Sequence, residues 1–140
     1  MHVPYEIKLN QPADFKVSYR FYTKQEGGKD FLPFQGYRSD FWYEDTEHST
    51  SQVFMIWPEF EDDNGNIIMD TNQPIKSQGI AKMWILMPPM RSYHKQKIKV
   101  GLKGYFMEGS RRVAECTIIQ LIGLLHNPTE PIEIKGKVYR

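Results

Sequence analysis

Phe15-Lys16-Val17-Ser18-Tyr19-Arg20-Phe21 opens the stretch that decides the fold, and Gly36-Tyr37-Arg38-Ser39-Asp40-Phe41-Trp42-Tyr43 closes it. In the first arm Phe15, Val17, Tyr19 and Phe21 alternate with Lys16, Ser18, Arg20 and Tyr22, the period of two expected of a strand with one buried face. Lys24-Gln25-Glu26-Gly27-Gly28-Lys29 then ends it, because paired glycines reach backbone angles that side-chained residues resist. The second arm is aromatic and strand-prone. The two arms read as one β-hairpin, with a long aromatic connection from Asp30 to Gln35.

Length and composition bound what surrounds this stretch. A chain of 140 residues is one domain, large enough to bury a core without disulfides or metals. Hydrophobic residues at 40% and aromatics at 14% fit a globular protein. A net charge of +1 supplies no field to steer nucleic acid over long range. The single cysteine, Cys116, lies in an apolar run and reads as a small buried hydrophobe in a reducing compartment. Met1 to Ile7 shows no basic-then-apolar leader, and no apolar run reaches membrane-spanning length. The expectation is a cytoplasmic protein with no membrane association.

In chain order, residues 1–14 read as an extended lead-in in which Tyr5, Ile7 and Leu9 alternate with polar residues, suited to covering a sheet surface. Glu44 to Ser51 is rich in turn formers. Gln52 to Trp57 is a strand candidate stopped by Pro58. Glu59 to Asn66 carries clustered oxygen donors around Gly65, but the calcium-loop pattern requires a glutamate where Thr71 stands, so a solvated acidic hairpin tip is expected. Asn64-Gly65 marks the turn and Ile67 to Met69 the return strand. Ala81 to Met87 is a strand halted by Pro88-Pro89. Met90 to Lys99 gathers Arg91, His94, Lys95 and Lys97 into one basic cluster, read as a solvated hairpin. Val100 to Met107 and Arg112 to Leu121 form a last hairpin about Glu108-Gly109-Ser110. Past Asn127-Pro128 an alternating tail follows. No segment reads as a helix, and the sum is an all-β closed antiparallel barrel.

Two motifs add a resemblance. Phe15 to Tyr43, with Glu26-Gly27-Gly28-Lys29, Pro33-Phe34, Gly36-Tyr37-Arg38 and Phe41, resembles the third, C-terminal domain of elongation factor Tu. Gly101-Leu102 through Phe106, with Glu108-Gly109-Ser110-Arg111-Arg112-Val113, resembles the closing hairpin of that domain. The resemblance spans Phe15 to Leu124. It implies a six-stranded antiparallel barrel over 15–124, with an inserted hairpin or loop near 58–79 and a C-terminal extension over 125–140.

For chemistry the sequence offers little. His2, His48, His94 and His126 are scattered, so no metal pattern appears, and no cofactor is expected. There is no Gly-x-Ser-x-Gly elbow and no phosphate-binding loop. The elongation factor hydrolyses GTP with a separate domain, so a non-catalytic chain that binds no GTP is expected. In that family the third domain packs on the GTPase domain and receives the exchange factor, which implies a protein partner or self-association. Phe31, Phe34, Trp57 and Phe60 are the candidate partner-surface aromatics, whereas Trp42, Trp84 and Phe106 suit the barrel core. The alternative implied by the resemblance is tRNA, whose T-stem backbone this family domain touches. Lys29 and Arg111 match its basic turns, and Arg38 and Arg112 stand beside them. Asp30 and Asp40 replace the His and Gln common in the family and place carboxylates beside that phosphate path. A third alternative is a small ligand on the same fold, with Arg91 to Lys97 as the first place to look.

Overall fold

The computed structural model describes residues 1–44 and 53–130, together with the backbone of two short strands near the C-terminus. Apart from Glu44, the turn expected over Glu44–Ser51 lies outside the described residues. Six strands, β1 (Phe15–Phe21), β2 (Asp40–Tyr43), β3 (Ile56–Phe60), β4 (Gln78–Ile85), β5 (Lys103–Glu108) and β6 (Arg111–Leu121), form one antiparallel sheet in the order β2-β5-β6-β1-β4-β3. Two helices, α1 (Tyr5–Leu9) and α2 (Pro88–Lys97), accompany it. β7 (Ile132–Ile134) and β8 (Lys137–Tyr139) pair with each other as a separate ribbon.

β1 holds the centre, as its alternation requires. Phe15, Val17, Tyr19 and Phe21 are buried on one face, and Lys16, Ser18 and Arg20 stand on the other. Its partners correct the sequence reading. β1 pairs with β4 and β6, while β2 pairs with β5 at the far side of the sheet. The Gly27-Gly28 turn does end β1, through a one-turn 3-10 helix at Lys24–Glu26 capped by Thr23. A long connection then lets the chain reach another strand, because a turn signal specifies where a strand stops and not what it pairs with. The closing hairpin forms as expected, β5 against β6, with Gly109 supplying φ +61° at its tip.

β3 is the sheet's last strand and runs through Pro58 instead of stopping there. Phe60 directs its N–H and C=O away from β4, to the Gln35 amide and to Gln35 and Ile68 respectively. Pro58, two residues earlier, turns its nitrogen to the same open side, so no ladder bond to β4 is lost. At the other extreme of the sheet, Phe41 of β2 exchanges both backbone hydrogen bonds with Phe54, at 3.0 and 2.8 Å. One isolated bridge therefore links β2 to the segment just before β3.

The inward side chains of all six strands make one aromatic-rich core, with Phe15, Tyr19, Phe21, Phe41, Phe60 and Phe106 in mutual ring contact. Gly104 is required there, since an added Cβ would lie 2.2 Å from the Phe41 ring. A second cluster lies on the outer side of β3 and β4, where Tyr5 and Leu9 of α1 cover Trp84. The lead-in segment thus covers sheet surface as a short helix and not as an extended strand. It is anchored by Glu59, which accepts from the Tyr5 N–H and Trp84 Nε1 and lies 2.6 Å from His2 Nε2. Phe106 takes its expected core position, but Trp84 belongs to this outer cluster and Trp42 is a half-buried outer residue.

The basic segment folds as α2, correcting the hairpin expected there. Pro88 and Pro89 occupy its first turn, where a missing N–H costs nothing. Arg91 is fully buried and ion-paired with equally buried Asp14 at 2.7 Å. It also donates to the carbonyls of Ile85 and Pro128, and Asn127 donates to Asp14. This knot joins the start of β1, the end of β4, α2 and the chain after β6.

Candidate functional site

The outer face of the central strands carries a groove of about 560 Å³ across β4, β1, β6 and β5. Register explains its lining. One rung runs Trp42–Tyr105–Glu115–Arg20–Gln78, and the next runs Lys103–Thr117–Ser18–Ile80. The small side chains of Ser18 and Thr117 leave the depression, and the longer Arg20, Gln78, Lys103 and Tyr105 stand around it.

Within the groove Arg20 is ion-paired, whereas Lys103 meets no carboxylate among the described residues. Arg20 donates from Nη1 and Nη2 to Glu26 and from Nε to Glu115. The Arg20 hydrogen bonds, with help from the Thr23 N–H, pull the Glu26 carboxyl down to about 2. Lys103 Nζ donates to Thr117 Oγ1 at 2.9 Å. At one end the Arg112 guanidinium lies 3.9 Å from the Tyr105 ring centre and 5.0 Å from that of Trp42. Arg111 and Arg112 have no carboxylate partner among the described residues.

The residues singled out from sequence scatter over the molecule. Lys29 is ion-paired with Glu108, which also accepts from Tyr37. Partial burial works to raise the Glu108 carboxyl, but the bonds from Lys29 and Tyr37 hold it below its usual range. Arg38 is exposed and stacks 4.7 Å over Trp57. Phe60 is a core residue and no surface anchor. Glu61, expected in a solvated tip, is buried and bound by Lys16, whereas Asp62 to Asn66 do form the exposed turn. In the basic cluster Arg91 and His94 are buried, with His94 Nδ1 2.7 Å from the Tyr43 hydroxyl, while Lys95 is exposed.

Phe31 and Phe34 remain at the surface, 83% and 47% exposed. Their loop is pinned: Leu32 packs on the core, Pro33 is buried and accepts from the Ile75 N–H, and Gln35 makes three bonds to the backbone of Phe60 and Ile68. Gln35 went unnoticed in the sequence, because a buried glutamine acting as a surrogate peptide group leaves no local pattern. Among the described residues no group of three or more His, Cys, Asp or Glu could hold a metal, and no helix is long and apolar enough to cross a membrane. Comparison with protein-family models and with curated proteins gives no match.

Proposed function

We propose that this chain is a non-catalytic binding protein that docks a protein partner through the loop carrying Phe31 and Phe34. The observation behind the reading is a large aromatic side chain at 83% exposure on a loop held in place by the inward Leu32, Pro33 and Gln35. Aromatic anchors carry a disproportionate share of interface energy. A loop already ordered loses little further conformational freedom on docking. A second copy of the chain is the simplest partner, since two Phe31 loops would cover each other's apolar surface.

The scaffold we infer is a closed six-stranded barrel like the third domain of elongation factor Tu. The Phe41–Phe54 bridge, which links β2 to the segment just before β3, supports closure. RNA is the second reading, favoured by unpaired Arg111 and by Arg112 stacked on Trp42 and Tyr105, a cation-aromatic pairing suited to nucleic acid. Against it, Lys29 is already neutralised by Glu108. A cytoplasmic location would accord with the buried free thiol of Cys116.

A photoreactive phenylalanine analogue placed at position 31 tests the reading in the cells that express the protein. A discrete protein adduct is expected, of doubled mass for self-association, and lost with Phe34→Ala. Adducts to RNA, or none above those from the same analogue at Ile119, would overturn it.

A further inference from the structure

The groove on the outer face uses none of the residues of the Phe31 loop, and its chemistry points to a different class of ligand. We infer that it is a binding site for a neutral, polyhydroxylated small molecule of the mono- or disaccharide kind. Its volume of about 560 Å³ lies within the range of small-ligand sites.

Charge decides the class. A phosphate or carboxylate approaching Arg20 finds its Nε, Nη1 and Nη2 already donating to Glu115 and Glu26. Displacing those carboxylates would leave them facing the incoming anion. A cationic ligand meets Arg20 and Lys103. Lys103, bonded to the neutral Thr117 hydroxyl, offers an anion a single point of attraction beside the carboxylates of Glu115 and Glu26, and a neutral ligand meets neither their repulsion nor that of the cations.

Hydrogen-bond capacity then selects hydroxyls. The side chains of Ser18, Gln78 and Tyr105 bond to no other protein group among the described residues, and Arg20 keeps two further N–H groups. The amide of Gln78 presents adjacent donor and acceptor atoms, and beside it stand the Glu115 oxygen not bonded to Arg20 and the two remaining N–H groups of Arg20. Neighbouring hydroxyls on a pyranose offer adjacent donors and acceptors at matching spacing. Arg20 and Glu115 face each other across β1 and β6, and Arg20 and Gln78 across β1 and β4, so the three groups stand in one row. The Tyr105 ring lines the groove at its Trp42 end, with the Arg112 guanidinium 3.9 Å from its centre.

The experiment is amide NMR of the full chain titrated with maltose, cellobiose and lactose, and separately with inorganic phosphate. Saturable shifts are expected for at least one disaccharide, concentrated at Ser18, Gly79, Tyr105, Glu115 and Thr117. Ser18→Ala and Gln78→Leu, each verified by an otherwise native spectrum, should each weaken that binding by about fivefold, the effect of removing one or two hydrogen-bonding groups. No saturable shift with any of the three sugars would overturn the inference. So would stronger shifts of the same amides with phosphate, or unchanged affinity in both variants. Should either variant fail to fold, the wild-type titrations alone decide.

Discussion

Arg91 shows how far residue type alone misleads. In the sequence it belongs to a basic cluster, yet its guanidinium is sealed against Asp14 with both side chains fully buried. Removing one partner of such a pair leaves an uncompensated charge in the interior, so Arg91→Ala should destabilise the protein by about 3–5 kcal/mol in urea unfolding. The signal available was Pro88-Pro89, which marks a helix start as readily as a strand stop, and only the Asp14 partner, distant in sequence, settles the matter. Glu26 carries a pH dependence. Its carboxyl sits at about 2 in the fold against an ordinary 4.5, so the native state favours the ionised form. That contribution is whole above about 4.5 and is lost as pH falls toward 2. Acid titration of thermal stability should therefore fall more steeply through this window for the wild type than for Glu26→Gln.

Among the elements, β1, β5 and β6 were legible because alternation, glycine turns and apolar runs are local. Strand partnership was not, and the expected hairpin of β1 with β2 dissolved into two separate pairings. Helix α2 was missed because it is short and polar: it buries Pro88, Arg91 and His94, and only Met90 and Tyr93 add apolar packing against the core, too few for a periodic apolar stripe. The β2–β5 pairing has its own sensitive point. With the Phe41 ring seated over Gly104, Gly104→Ala forces either the ring or β5 to move, and overpacking of this kind costs about 1–3 kcal/mol. Thermal unfolding should register the loss, and Phe41→Leu in the same chain should recover part of it by shortening the obstructing side chain.

At the scale of the molecule, the all-β antiparallel sheet followed from turn-punctuated alternation, whereas the small outer cluster under α1 had no signature beyond Tyr5 and Leu9. The outer-face groove escaped notice because it depends on register across four strands. Closure of the sheet has a direct readout. If the Phe41–Phe54 bridge completes a barrel, those two amides should exchange with solvent as slowly as the amides of β1; exchange at the rate of surface loops would mark an open sheet.

The outward side of β3 has a further consequence. At Pro58 it offers no donor, and at Phe60 both backbone groups are already occupied by Gln35 and Ile68. A guest polypeptide seeking to extend the sheet there finds too few free backbone groups to zip onto. A guest at this edge must be read by side chains, so recognition there would follow the guest's composition and surface shape, and unrelated extended peptides would make poor competitors.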